Sequence, residues 1–488
     1  MKKVLILTAV FSLFLFTCGD VDKDLDETLA PGTFWAQNFS NSSYYKVDAE
    51  LLAENDFCYV WVEKGSRATA DTAQKVAYEY AYAIRVKMLD TFGFDVNIGG
   101  KTLNTLEYAN LLAKGEKSDK KLTILLLDIK DNYKQGVNES YVAGYFWAGN
   151  LYSNKTLYSI LRKKVSNECD MIYVDTNPGK PGSNDSNETL AHELQHLMNF
   201  AGSNKFRGKG MDTWIDEGLS GTAEWVYKGE HPSQRVDWYI YNVDSKGIKG
   251  LLDKGNNFFV WGNHKENQYA VLDDYSTVYL FFQWLRLQSG KGVYKEISAS
   301  GETDYKAVMN AFNNTVSSNK YSNWEDMLKD WLAANYFRNS FGRYGYGNDT
   351  ELNKISRHYA PGGSAVISLY PGEGVYSNVT TTTPIPTKTG NINYAGLTGS
   401  APIPSGSISS GALLTYNANT NNSDNAESGT ITSVASTNIV PPSSGSRSIG
   451  GFGVGPFPIS AGDMLRQKGM EDSFILPLGQ LGTLEENE

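Results

Sequence analysis

Two histidines four residues apart, in a run with the hydrophobic spacing of a buried helix, constrain the fold of this chain more than any other feature. Residues 189–200 have the sequence TLAHELQHLMNF, which places His192 and His196 at positions i and i+4. On a helix these positions share one face, so both imidazoles can bind one metal ion. Glu193 lies beside that face, where a carboxylate can take a proton from water that the metal activates. The alternative is a pair of histidines packed in a core, and it is not favoured because the chain has only 5 His.

A catalytic zinc site needs a third protein ligand and one open position. Glu217 is the candidate, because the 20 residues between it and His196 let a second helix return a carboxylate to the metal. The alternative for Glu217 is a solvated carboxylate near a helix start, but the residue lies in the pattern WIDEG at 214–218. The sequence therefore predicts one Zn²⁺ per chain, bound by His192, His196 and Glu217.

The two motifs together resemble a known class of enzymes. The pattern AHExQH at 191–196 is followed about twenty residues later by WIDEGLSxxAE at 214–224. This combination resembles the gluzincin class of zinc metallopeptidases and, in detail, its hyicolysin-type family. The segment VAGYFW at 142–147, before the strand-like IYVD at 172–175, also resembles that family, and the resemblance covers roughly residues 40–340.

The resemblance implies a zincin-like catalytic domain that hydrolyses peptide bonds of polypeptides, with Glu193 as the general base. It also implies that a strand containing Gly144, Tyr145 and Phe146 edges the cleft and pairs with the main chain of an extended substrate. The competing function is a non-catalytic surface lipoprotein, an adhesin or binding module, with a vestigial or structural metal site. A structural zinc site is usually closed by four protein ligands, often Cys, and no cysteine is near these residues in the sequence.

Two further carboxylates are candidates to orient the zinc-binding histidines. Glu224 is seven residues, about two turns, after Glu217 and therefore lies on the same helix face. There it can accept the outer N–H of one histidine, and Asp216 can do the same for the other. The alternative for both carboxylates is surface solvation.

The reaction also needs a hydrogen-bond donor for the oxyanion, on the side opposite the zinc. In related enzymes, helix starts in the second half of the domain face the cleft, which makes Tyr275 the first choice. Tyr279, His264 and His231 are the other candidates. The chain has 30 Tyr, and a tyrosine that only packs is the usual alternative for any one of them.

The N terminus has the pattern of an export signal. Lys2 and Lys3 precede an apolar run from Val4 to Phe16, which is too short to span a bilayer as a mature helix. Cys18 follows in a segment that resembles a bacterial lipobox, so we expect a lipid-anchored protein of the cell envelope or cell surface. Phe16 departs from the small residues usual at its position, and full secretion is the alternative.

Hydrophobic periodicity predicts an α+β fold, with a mixed-sheet α/β half followed by a mainly helical half. A capping box of Ser322 and Glu325 is predicted at the start of the last helix. The predicted strands are 45–52, 57–62, 122–129, 142–147 and 170–175, and the predicted helices are 72–92, 188–200, 212–227, 274–287 and 323–336.

Composition divides the chain further. The predicted segments are a signal peptide at 1–18, a tether at 19–35, a metallopeptidase domain at 36–345 with an α/β half (36–200) and a helical half (201–345), and a Ser/Thr/Gly/Asn-rich module at 346–488. The last module is expected to be β-rich or partly disordered, and removing it is expected to leave the chemistry intact.

The charge content argues against nucleic acid as a partner, and the cysteine content limits the disulfides that can form. With 44 Lys+Arg against 54 Asp+Glu, the chain has no basic excess for binding nucleic acid. The mature chain is expected to keep Cys58 and Cys169, which are either a disulfide or two buried free thiols.

Overall fold

The computed structural model describes residues 29–137, 141–241, 252, 271–360, 366–420 and 427–430. The predicted signal peptide with Cys18, most of the predicted tether, and His264 lie outside the described residues. Within the described ranges, no helix combines the length and the hydropathy that a membrane span requires.

The structure contains helices and strands over most of the described chain. The helices are α1 (Ala70–Glu79), α2 (Arg85–Phe92), α3 (Thr105–Lys114), α4 (Asn154–Leu161), α5 (Asn184–Gly202), α6 (Thr213–Lys228), α7 (Ser233–Tyr241), α8 (Val271–Ser289), α9 (Gly292–Ser298), α10 (Tyr305–Thr315) and α11 (Trp324–Phe337). The strands are β1 (Thr33–Asn38), β2 (Ser43–Glu54), β3 (Cys58–Glu63), β4 (Asp95–Ile98), β5 (Lys101–Asn104), β6 (Leu122–Leu127), β7 (Gly144–Phe146), β8 (Met171–Asp175), β9 (Val366–Leu369), β10 (Gly374–Val379), β11 (Thr383–Pro384), β12 (Ile392–Thr398), β13 (Ala401–Ile403), β14 (Ser407–Ile408), β15 (Gly411–Asn417) and β16 (Glu427–Thr430).

A six-stranded mixed sheet, in the order β1-β2-β3-β6-β8-β7, forms the N-terminal half. Strands β3, β6 and β8 are parallel to one another, and the other pairs are antiparallel. Successive side chains of a strand point to opposite faces, so β6 buries Ile124 and Leu126 in one core and Leu125 and Leu127 in another. Both faces of the sheet are covered, which explains why β6 is apolar except for Thr123.

Strand β7 forms one edge of this sheet. It pairs antiparallel with β8, where Tyr145 lies opposite Tyr173. The two rings stack with their centroids 4.0 Å apart in the core that contains Leu125. The side chain of Tyr145 therefore anchors the edge strand to this core.

Helix α5 lies against the face of the sheet that contains Ile124. The hydroxyl of Ser183 caps its start by accepting from the backbone N–H of Ser186. Leu194 and Leu197 are fully buried, and the helix packs against α6, which in turn packs against α8. The predicted order of a mixed-sheet half followed by a helical half is confirmed.

The C-terminal segment is β-rich, as predicted, with a four-stranded antiparallel sheet in the order β10-β15-β12-β13. Side chains make contacts across the predicted boundary at residue 345. The hydroxyl of Tyr376 donates to the carbonyl of Leu332 in α11 at 2.6 Å, and Leu352 belongs to the same buried core as the helices. The boundary itself stays a prediction.

One local prediction was wrong, and another lacked a detail. The helix predicted at 72–92 is present, and it contains a π-helical turn at Tyr80–Ile84 between α1 and α2. Helix α11 is capped by Asn323, whose side chain accepts from the backbone N–H of Asp326 at 2.8 Å, and not by Ser322. Trp324 is buried as the first helical residue, so the helix begins one residue later than the capping box requires.

Cys58 and Cys169 are both free and buried, which is the second of the two predicted alternatives. They lie in the cores on opposite faces of the sheet. Burial raises the pKa of each thiol to about 12.

Candidate metal centre

Helices α5 and α6 bring the three predicted metal ligands together. One ligand atom from each of His192, His196 and Glu217 lies within 4.8 Å of the others. Glu217 Oε2 is 3.4 Å from His192 Nε2 and 3.6 Å from His196 Nε2. Two imidazole nitrogens and one carboxylate oxygen converging in this way are a donor set that fits Zn²⁺, and three protein ligands leave one coordination position open.

Carboxylates contact the outer nitrogen of each histidine. His192 Nδ1 is 2.8 Å from Glu224 Oε1, and His196 Nδ1 is 2.9 Å from Asp216 Oδ2. An ionised carboxylate can only accept, so in the neutral imidazole that binds a metal Nδ1 donates its N–H. The lone pair of each Nε2 then faces Glu217.

The charge around the histidines is strongly negative. Burial alone lowers the pKa of His192, but contacts with Glu217 and Glu224 outweigh it and raise the pKa to about 10. Burial also lowers the pKa of His196, and Asp216 and Glu217 raise it to about 9. Both imidazoles therefore lie where a positive charge is stabilised, which is what a cation site requires.

Arg235 on α7 balances the charge of Glu224. Its Nη2 is 2.8 Å from Glu224 Oε1, and its side chain is buried. Burial raises the pKa of Glu224, but Arg235 and His192 outweigh this effect and lower it below the ordinary value. Glu224 therefore stays ionised and can accept from His192.

Glu193 faces the edge strand β7. Its Oε2 accepts from the backbone N–H of Phe146 at 2.9 Å, and only 3% of the residue is exposed. Burial raises the pKa of this carboxyl. A methyl group on Gly144 would lie 2.8 Å from Thr189 Cγ2 and 3.6 Å from Glu193 Cγ. Glycine at this position therefore allows the strand to approach the helix that contains Glu193.

The candidate oxyanion donors lie on α8 and near the start of α7. Tyr275 is 2% exposed, and the Arg235 guanidinium is 4.5 Å from the centroid of its ring. Tyr279 Oη is 2.5 Å from His231 Nδ1, while His231 Nε2 is 2.8 Å from Asp349 Oδ2. The identity of the donor stays a prediction.

Ser220, whose Oγ is 3.2 Å from His196 Nδ1, and three other residues near the ligands were missed by the sequence analysis. Asn199 donates to Asp216 Oδ1 at 2.5 Å, and Arg207 donates to Asn199 Oδ1 at 2.9 Å. Arg235 is the third. Asn199 could have been found from the sequence, because it follows His196 by three residues and therefore lies on the same helix face. Arg207 follows Asn199 by eight residues, about two turns, at the end of the same helix, whereas only tertiary packing brings Arg235 to Glu224.

Comparison with known proteins agrees with this geometry. No protein-family model matches the chain. The neutral metalloprotease ShpI of Staphylococcus hyicus is 30% identical over 274 residues, which are 53% of this chain and 57% of that protein. The chain thus spans little more than half the length of this relative. The similarity supports a relationship to metallopeptidases, and the ligand set on α5 and α6 is consistent with it.

Proposed function

We propose that this protein is an exported zinc-dependent endopeptidase that hydrolyses peptide bonds of protein substrates. The convergence of His192, His196 and Glu217 beside Glu193 is the observation that supports this function most directly. The similarity to a neutral metalloprotease supports it independently. A non-catalytic binding module is not favoured, because the cluster among the described residues has three protein ligands and a structural zinc site usually has four.

Glu193 is the proposed general base. When bound, a zinc ion lowers the pKa of water and polarises the scissile carbonyl group. Glu193 takes a proton from the attacking water as the water oxygen bonds to the carbonyl carbon. It then passes that proton to the amide nitrogen as the carbon–nitrogen bond breaks and the amine leaves. The raised pKa of this carboxyl favours a group that first accepts and then returns a proton.

The proposed substrates are polypeptides that bind in an extended conformation. Strand β7 is at the edge of the sheet, and Glu193 contacts the backbone of Phe146 there. An extended main chain can add to the side of Gly144–Phe146 that faces away from β8. Its scissile bond would then lie along α5, beside the metal ligands.

The proposed location is the bacterial cell envelope or cell surface, with lipid on Cys18 as the membrane anchor. Full secretion is the alternative. Replacing Cys18 by Ser should move the protein from the detergent phase to the aqueous phase of a partition experiment. A Cys18→Ser protein that stays in the detergent phase has its anchor elsewhere.

The Glu193→Gln variant tests the proposed function. It keeps the shape of the side chain but removes the base, so casein cleavage should fall about 10²- to 10⁴-fold while zinc content stays at one ion per chain. Glu188→Gln is the matched control, since Glu188 is buried on the same helix and pairs with Lys228. A Glu193→Gln protein that cleaves casein at the wild-type rate would rule out this function for Glu193.

A further inference from the structure

Arg207 has five hydrogen bonds at the end of the helix that contains both histidines. It lies in the π-helical turn Ser203–Arg207 that follows α5. Its Nη2 donates to the carbonyl of Asn199 at 2.7 Å, to Asn199 Oδ1 at 2.9 Å and to Ser203 Oγ at 2.9 Å. Its Nη1 donates to the carbonyls of Ser298 and Ser300 at 3.0 and 3.2 Å. The guanidinium therefore connects α5 to the turn after α9.

The contact with Asn199 determines which way the amide of that residue points. Because Oδ1 accepts from a cation, Nδ2 is directed to Asp216 Oδ1, 2.5 Å away. The reversed amide would place its NH₂ group against the guanidinium and its carbonyl against the carboxylate, and both contacts would be repulsive. Asn199 is 3% exposed, so water cannot easily replace either partner.

Asp216 is thereby fixed through both of its oxygens. Oδ1 accepts from Asn199, and Oδ2 is 2.9 Å from His196 Nδ1. A carboxylate held at one oxygen presents the other in a defined direction, which fixes the plane of the imidazole that donates to it. The chain Arg207–Asn199–Asp216–His196 thus leads from a partly buried cation to a metal ligand.

We propose that Arg207 is a positioning residue for the metal site, and that it orients the His196 imidazole through Asn199 and Asp216. The proposal rests on the proposed function for the identity of the bound ion, zinc. The competing explanation is that Arg207 only fastens α5 to Ser298 and Ser300. In that case its loss lowers the stability of the protein and leaves the metal site unchanged.

A double-mutant cycle on zinc affinity separates the two explanations. Chelator competition on the full chain should show that Arg207→Met and Asn199→Ala each weaken zinc binding about 10-fold or more. The double variant should bind zinc no more weakly than Asn199→Ala alone, because both changes break one chain of contacts. Arg338→Met is the matched control: Arg338 is partly buried and donates to the carbonyl of Ile355. Its zinc affinity should equal that of the wild type.

Three results of the affinity measurements would overturn the proposal. One is an Arg207→Met protein that unfolds at a lower temperature but binds zinc within about 2-fold of Arg338→Met. Another is a double variant whose loss of affinity is the product of the two single losses. If Arg207→Met does not fold, Arg207→Lys replaces it, since one ammonium cannot make the contacts of both guanidinium nitrogens. Unchanged zinc affinity in Arg207→Lys is the third contrary result.

A measurement on the metal-free protein tests the role of Arg207 separately from the proposed function. In metal-free protein labelled with ¹⁵N-histidine, Arg207→Met should shift the ring signals of His196 and leave those of His358 in place, while Arg338→Met should leave His196 unchanged. If the wild-type protein binds no zinc, the proposed function is wrong, and these signals still test the role of Arg207. Unshifted His196 signals in Arg207→Met would overturn that role.

Discussion

At the level of single residues, positive and negative groups alternate with increasing distance from the metal ligands. The imidazoles of His192 and His196 contact carboxylates, and a guanidinium lies behind the carboxylate of Glu224. A carboxylate behind an imidazole makes the opposite nitrogen a better electron donor and fixes the ring. The same carboxylates raise the pKa of both histidines, so a metal ion that binds here must displace the proton on Nε2 of each ring.

Tyr275→Phe tests the proposed oxyanion donor. A hydroxyl that meets only the developing oxyanion should contribute about 2 to 4 kcal/mol in the transition state, so kcat should fall strongly while KM changes little. The ring beneath Arg235 is kept, and zinc content and folding should not change. The measurement is steady-state hydrolysis of one peptide by Tyr275→Phe and Tyr279→Phe in parallel. If Tyr275→Phe keeps more than about half of the wild-type kcat, the donor is another residue.

The residues that were predictable follow one another along a single helix or at a fixed spacing. His192 and His196 are one turn apart, and Glu217 follows in a motif, so their convergence could be inferred from the sequence alone. Arg235 could not be found this way. It reaches Glu224 from α7, and no periodicity within α6 or α7 encodes that contact.

At the level of strands and helices, the distance between β7 and α5 determines where Glu193 lies relative to the edge strand. Glu193 bonds to the backbone of Phe146 across this gap, and Gly144 allows the close approach. Gly144→Ala would place a methyl 2.8 Å from Thr189 Cγ2 in α5 and 2.8 Å from the carbonyl oxygen of Tyr173 in β8. The methyl should therefore push β7 away from α5 and disturb its pairing with β8. We expect a loss of about 1 to 3 kcal/mol in the free energy of unfolding and a lower hydrolysis rate. Denaturant unfolding and peptide hydrolysis are the measurements.

Gly221→Ala is the control for this prediction. Gly221 lies within α6, where an added methyl would meet Tyr279 Cδ2 at an ordinary 3.7 Å. Alanine is the better helix former, so the free energy of unfolding should rise by up to about 1 kcal/mol. A Gly144→Ala protein as stable and as active as Gly221→Ala would show that β7 is not held closely against α5.

The predictable elements are those with a strong hydrophobic period. Strands β3, β6 and β8 and helices α5, α6, α8 and α11 lie within a few residues of their predicted bounds. Strand β1, α3 and α10 were missed. Strand β1 has no clear alternation in its sequence, and Asn167 from a distant loop bonds to the backbone N–H and carbonyl of Trp35. Such contacts depend on tertiary structure and leave no local pattern.

At the scale of the whole molecule, the C-terminal segment shares a core with the helices. Leu352 lies beyond residue 345, is fully buried and belongs to the core that contains Trp331. We expect Leu352→Ala to lower the free energy of unfolding by about 2 to 5 kcal/mol and to lower the unfolding temperature of helices α5 and α6 with it. Thermal unfolding followed by near-UV circular dichroism and by zinc release measures both.

Phe341→Ala is the control, because Phe341 is 82% exposed and its loss should change the free energy of unfolding by no more than about 0.5 kcal/mol. A composition change near residue 345 predicts an independent module, whereas the shared core predicts coupled unfolding. If Leu352→Ala releases zinc at the same temperature as the wild type, the C-terminal segment is independent of the site.

The most direct test of the zinc peptidase assignment is hydrolysis measured against zinc content. Protein stripped of metal by a chelator, with its metal content measured by elemental analysis, should not cleave casein. Added Zn²⁺ should restore cleavage in proportion until one ion per chain is bound, and Glu217→Ala should neither retain zinc nor recover activity. Cleavage at the wild-type rate by metal-free protein, or full zinc content in Glu217→Ala, would contradict the assignment.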